Sequence, residues 1–392
     1  MNKKITGIWI GLIILFSVIS LSGCGINDIF AWYEGSSEND RIPVVLNAGE
    51  ALAIERTHFD EIDFEFERFE LNIHSQRMQN AEGSAVVTIQ DNIITAKNSG
   101  HVTITATLIR NRNGNTVNQL GIFVGSFYVV NEATMTHITT AQELADINNN
   151  LTGHFILMAD IDLSDYEWIP IGAANNEFKG MFVNPYGYTI NKMTITTSKI
   201  NVMHETRIHV GLFGLIYRYS LVSGVILEDI SIDVSDFEGH VIDSPRVGGL
   251  VGAMMQHAMI IDFSVSGLIT GGGEYTGGVV GVNNDGIIKN GIFTGSIKNH
   301  NIIISSHFAI GGIVGFNAFL PAGRIIGNII NVTVNADIDG GELASVGGIV
   351  GVTNFSRAIE NSSFNGTVLG KRAGTKIGFI DFPGIDSPIN FE

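Results

Sequence analysis

Val247-Gly248-Gly249-Leu250-Val251-Gly252 decides the fold, because the same pattern returns along the chain. The other copies are His209-Val210-Gly211-Leu212-Phe213-Gly214, Thr276-Gly277-Gly278-Val279-Val280-Gly281, Ile310-Gly311-Gly312-Ile313-Val314-Gly315 and Val346-Gly347-Gly348-Ile349-Val350-Gly351. Aligned on the middle glycine they stand at 211, 249, 278, 312 and 348, with spacings of 38, 29, 34 and 36. A weaker echo, Ile377-Gly378-Phe379-Ile380, follows. Self-similarity at this period is the signature of a repeat architecture. One repeat offers short strands with an apolar face and no partner sheet, so the repeats must stack to share a dry interior. Glycine at fixed places serves turns of positive φ and close approach of neighbouring coils. The expectation is an all-β chain with a parallel β-solenoid over 133–392.

A second motif lies between the glycine copies. It reads Ile260-Ile261-Asp262-Phe263-Ser264-Val265-Ser266-Gly267, then Ile287-Ile288-Lys289-Asn290-Gly291-Ile292-Phe293-Thr294-Gly295, then Ile359-Glu360-Asn361-Ser362-Ser363-Phe364-Asn365-Gly366. Each is a strand carrying Asn or Asp and ending in a glycine corner. Variation in repeat length belongs in outer loops such as 297–308 and 335–345. The first copy has Val210 where the others have their first glycine, which sets that bend apart.

The stretch before the repeats has its own logic. Thr140-Ala141-Gln142-Glu143 is a capping box that opens a short helix through Ile147. Placed there, the helix covers the first coil, whose open edge would otherwise invite strand pairing with another chain. Phe155-Ile156-Leu157-Met158-Ala159-Asp160-Ile161-Asp162-Leu163, Trp168-Ile169-Pro170-Ile171-Gly172 and Phe178-Lys179-Gly180-Met181-Phe182 lead into the repeats. Together with the five glycine copies, these segments resemble the GLUG-motif proteins over most of 139–370. The resemblance implies a surface protein built on stacked repeats.

Residues 42–132 read as strands and turns. Ile62-Asp63-Phe64-Glu65-Phe66-Glu67 alternates apolar and acidic residues, as a half-buried strand with a carboxylate face does. Further strands are expected at Val86 to Gln90, Ile93 to Ala96, Val102 to Leu108 and Ile122 to Val130. Asn98-Ser99-Gly100 and Asn113-Gly114 supply turns. Several short strands in about ninety residues make a small β-sandwich. Residues 86–108, VVTIQDNIITAKNSGHVTITATL, resemble the second half of bacterial Ig-like group 2 domains. That likeness implies a spacer or adhesion module.

The N-terminus carries an address. Lys3 and Lys4 precede an apolar run from Ile5 to Leu21, which ends in Leu21-Ser22-Gly23-Cys24. A basic start, an apolar run and small residues before a cut describe a secretory signal over 1–23. The last four residues resemble the lipobox of bacterial lipoproteins, and that resemblance implies a diacylglycerol thioether on Cys24. Cys24 is the sole cysteine, and a thiol is the one good nucleophile in that segment. Residues 24–41 then act as a tether between membrane and folded chain.

Other features exclude more than they assign. A net charge of −17 speaks against a nucleic-acid partner, because phosphate wants a basic face. The glycine motifs are followed by no Lys-Ser or Lys-Thr, so they are architecture rather than phosphate cradles. Asp160, Asp162 and Asp165 have the start of a calcium loop, but Ile171 stands where the closing Glu is needed, so outward-facing strand residues are expected. Asp229, Asp233, Asp262 and Asp285 are the carboxylates that different coils could bring to one face, though Asp285-Gly286 is more simply a turn. Tyr166 and Trp168 offer rings for stacking on a sugar, against the simpler role of filling space beneath the cap. No cofactor is expected, and no residue is singled out as catalytic or metal-binding. The expectation is a non-enzymatic, lipid-anchored protein of the cell envelope that binds or displays, with polysaccharide or protein as partner. The alternatives are a polysaccharide-degrading β-helix enzyme and a passive envelope component.

Overall fold

A computed structural model describes residues 43–59, 65–78, 85–112, 115–173, 175–196, 208–235, 245–271, 273–298, 308–318, 329–342, 344–354 and 359–380. Cys24, the signal and the tether lie outside the described residues, as does the Asn113-Gly114 turn. The chain divides into two compact units, with the break between Thr134 and Met135.

The first unit is a sandwich of two sheets. One sheet runs Val44–Asn47, Asn115–Val130, Gly100–Arg112 and Arg68–Met78 in spatial order. Its first pair is parallel and the others are antiparallel. The other sheet is antiparallel, in the order Ala51–Ala53, Ile93–Ala96, Val87–Gln90. Leu46, Ile94, Val102, Ile104, Phe127 and Val129 belong to the single buried cluster that the sheets share. Asp91 and Asn92, with φ of 50° and 62°, close the hairpin from Val87–Gln90 to Ile93–Ala96. Two successive left-handed residues make the turn that matches strand twist, and Asp and Asn tolerate that region. The strand expected at Ile62 to Glu67 is corrected in its described part. Glu65 to Glu67 precede strand Arg68–Met78, and Phe66 is buried beneath the Arg56 guanidinium instead of alternating along a strand.

The second unit is a column of coils in which every strand pairing between coils is parallel. Helix α1, Ala141–Ala145, opens on the expected capping box of Thr140 and Glu143. A short 3₁₀ turn, Asp146–Asn149, continues it. Leu144 and Ile147 belong to the main buried cluster, so the helix covers the first coil.

Each following coil has three parts. A short strand carries the first half of the glycine motif (Arg246–Gly248, Tyr275–Gly277, Ala309–Gly311, Ser345–Gly347). The second half lies on a returning strand (Val251–Met255, Val280–Asn284, Val314–Ala318, Val350–Thr353). A long third strand closes the coil (Met259–Thr270, Ile287–Lys298, Ile329–Asp339). Stacking yields two six-stranded sheets and one of fourteen strands.

The glycines of the motif explain the shape. A Cβ on Gly281 would stand 2.5 Å from the carbonyl of Gly252 and 2.7 Å from the amide of Val247. A Cβ on Gly248 would meet the Val251 carbonyl at 2.1 Å. The first and second strands therefore meet backbone to backbone, at a distance no side chain permits. A Cβ on Gly278 would collide with the ring of Phe293 at 2.6 Å, so the middle glycine makes room for a third-strand side chain. Positive φ, the other expected role, is absent from the glycines of this motif but present at the glycine corners of the second motif, Gly267, Gly295 and Gly366, at φ of 144°, 149° and 152°. Polar residues turn other corners, including Asp262, Asn290, Asn331 and Asn361 at φ between 46° and 62° with Asp285 at 66°.

Two alignments also change. Val210 pairs with Val247 and Phe213 with Val251, so Gly211 matches Gly248 and the first bend is one residue shorter. Residues 335–339 continue strand Ile329–Asp339 rather than forming a loop.

Candidate functional site

Two regions of the solenoid bring chemistry-bearing side chains together. The first is the outward side of the third strands. Parallel register, shifted once between Leu227 and Ile230, puts equivalent residues above one another, so one row reads Ser266, Thr294, Asn335, Asn365. The next outward row reads Ser231, Leu268, Ser296, Asp337. Side chains bridge the coils along these rows. Thr333 and Ser363 share a hydrogen bond of 3.3 Å, and Asn365 donates to Asn335 at 3.0 Å. The Thr367 amide and hydroxyl donate to Asp337 at 3.1 and 2.6 Å. At the adjacent corner Asn331 donates to Asn290, and Asn290 to Asp262, each at 3.1 Å. The result is a lattice of hydroxyls and amides that also carries Asp262, Asp337 and the exposed Leu268.

The second region is the corner between second and third strands. Arg218 and Tyr219, then Gln256 and His257, turn two successive coils with φ between 51° and 62°. Asp285 turns the next. The His257 amide donates to the Asp285 carbonyl at 2.7 Å, which fixes the stagger. Tyr219 stacks on the His257 ring at 5.1 Å. His257 Nδ1 lies 3.5 Å from Asp285 Oδ2, with side-chain exposures of 14% and 8%. Burial pushes the Asp285 carboxyl up to about 6 and the His257 imidazole down. A formed ion pair would move both the other way, so this contact is a neutral imidazole beside a carboxyl group. Neither His257 Nδ1 nor Asp285 Oδ1 has a hydrogen-bond partner. Ser220 is also close in sequence to this corner, but its hydroxyl is buried without a partner and so is not wired to the imidazole as a nucleophile.

The residues singled out from sequence separate. Asp160 accepts from the Thr189 amide and hydroxyl. Asp162 is held down to about 2, chiefly by Lys192 at 2.6 Å and then by the Ser164 amide. Asp165 is exposed. These three act as strand and turn residues with separate partners. Asp229, Asp233 and Asp262 are exposed on other corners and Asp233 caps Ser235, so no paired carboxylates form with Asp285. Trp168 is buried and donates to the Leu212 carbonyl at 3.1 Å, and Tyr166 bonds Gln142 of helix α1, so both rings serve the cap. Among the described residues no three His, Cys, Asp or Glu side chains converge. No helix of the described residues is long and apolar enough to cross a membrane.

No family profile and no curated protein matches the chain. One solved structure similar to it is named "IgA1 Protease", at 14% identity and a TM-score of 0.41, over 79% of this chain and 27% of that one. The chain thus spans about a quarter of that protein's length. The expectation that the chain is not an enzyme is corrected on this finding, since the similar structure is by name an enzyme. At this identity and score the likeness brings neither activity nor substrate to this chain.

What sequence reading missed is the His257 corner. The signal was present: Tyr219 and His257 are 38 apart, the spacing of the first two glycine copies, and His257 and Asp285 are 28 apart where the copies are 29 apart.

Proposed function

We propose that this chain is a lipid-anchored bacterial surface protein that binds or displays, and that its contact surface is the outward face of the third strands. The observation that carries the reading is the lattice of Thr, Ser, Asn and Asp side chains stacked in register there. Hydroxyls and amides on a stiff support suit a polymer of hydroxyls, so polysaccharide is favoured over protein as ligand. Attachment at Cys24, the GLUG-type character of the repeats and the group 2 character of the sandwich are parts of the same proposal, supported by the sequence likenesses.

A glycan and matrix-protein array with the purified chain tests the reading. Binding to a polysaccharide, weakened at least tenfold in an Asn335→Ala, Asn365→Ala double variant, is the expected result. A ligand that ignores this variant removes the face from the proposal. Finding no ligand favours a passive envelope component. For the anchor, Cys24→Ser should shift the chain from the membrane fraction to the medium.

A further inference from the structure

We propose that His257 and Asp285 bind a first-row divalent transition ion of the Zn²⁺ class, with water completing its shell. The site stands apart from the polar face and does not depend on it.

Geometry comes first. Nδ1 and Oδ2 are 3.5 Å apart. Zinc–nitrogen and zinc–oxygen bonds are about 2.0–2.2 Å, so an ion between these atoms subtends about 115°, close to the tetrahedral angle. Two groups meant for each other would close to about 2.8 Å, as charge-assisted hydrogen bonds do. This pair stays apart, and Nδ1 has no partner at all. The ring cannot readily swing to find one, because Tyr219 lies flat against it and left-handed backbone fixes its base.

Burial is the second argument. Asp285 is 5% exposed, and its Oδ1 has no partner. Leaving a buried polar atom unsatisfied is costly, more so when it is charged. The Asn284 side-chain oxygen, one residue earlier, is also buried without a partner. A cation would satisfy the carboxylate and the imidazole together.

The donor set is the third. A neutral imidazole with a carboxylate suits zinc, nickel or copper, whereas calcium and magnesium prefer oxygen alone. The cation nearest in sequence is Lys289, four residues after Asp285, and the corner's own Arg218 engages the exposed Gln256 through Nε at 3.1 Å.

Titration of the full-length chain, stripped with chelator, with Co²⁺ followed by visible absorption and with Zn²⁺ followed by calorimetry tests the site. The parent should show a one-equivalent component that weakens at least tenfold in both His257→Gln and Asp285→Asn. Asp229→Asn, an exposed acid elsewhere, should leave it unchanged. Because either site variant could perturb its corner, modification of the parent by diethyl pyrocarbonate supplies a second measurement. Zn²⁺ should protect His257 from modification, read by peptide mass spectrometry. Identical isotherms in parent and site variants, absence of that protection, or equal competition by Mg²⁺ would overturn the proposal.

Discussion

At the scale of single residues, this solenoid runs on groups that its geometry strains or hides. Asn331 sits at φ 55° and donates its amide to Asn290 in the next coil. A Cβ residue without a helpful side chain costs about 1–2 kcal/mol in that region. Asn331→Ala should therefore lose about that much, and Asn331→Gly distinctly less, in thermal unfolding. His154 is hidden instead. It is 5% exposed, and burial pulls its imidazole down to about 4, with the Gly153 backbone opposing weakly. Below pH 6.5 the unfolded chain takes up a proton that the folded chain refuses until about pH 4, so stability is lost as pH falls through that window. The residues paired above it in register are Met181 and Leu221, so methionine fits the column. Relative to the parent, His154→Met should gain about 2 kcal/mol between pH 8 and pH 5. An unchanged gap between the two chains at these pH values would show that the imidazole is not held neutral.

At the scale of elements, local chemistry and tertiary contact divide the work unevenly. The capping box was legible because its rule involves four adjacent residues, and Thr140 and Glu143 make both reciprocal bonds. Thr140→Ala should cost about 1 kcal/mol. Because the helix covers the first coil, the loss should appear as faster amide exchange in His154–Leu157 and Met181–Val183, with the last coils unaffected. The glycine motif was legible as a repeat but not in its mechanism. Sequence shows that a residue is glycine; it does not show whether φ or a neighbouring backbone demands it. At the first glycine of the motif, as at Gly248, the obstacle is the carbonyl three residues on, whereas at the last, as at Gly281, it is the strand of a preceding coil, which no local rule reports. Equally, Asp285 was legible as a turn beside Gly286, but Tyr219 and His257 went unread because different residue types occupy the equivalent corners. The expected strand is absent over Glu65 to Glu67 for a related reason: alternation records which side chains are buried, and Phe66 is buried, with Arg56 over its ring, without a strand there.

At the scale of the repeat unit as a whole, each coil touches mainly its neighbours, so stability is close to a sum of coil and interface terms. This makes the position of a defect as important as its chemistry. Gly281 and Gly378 do the same job, each lying against the preceding coil. A Cβ on the first would stand 2.5 Å from the Gly252 carbonyl, and on the second 2.6 Å from the Gly351 carbonyl. Neither contact can relax by rotating a side chain, since the obstacles are backbone. Gly281→Ala should therefore cost upward of about 3 kcal/mol and break the column near its middle. Unfolding should split into two transitions, and exchange should rise on both sides of Val280–Asn284. Gly378→Ala inflicts the same clash in the last described coil, where one interface is affected rather than two. Exchange there should rise only in Ile377–Ile380 and Val350–Thr353, with a single transition for the remainder. Equal and global effects from the two variants would mean that the coils fold as one indivisible body, and the row-by-row reading of the polar face would lose its physical basis.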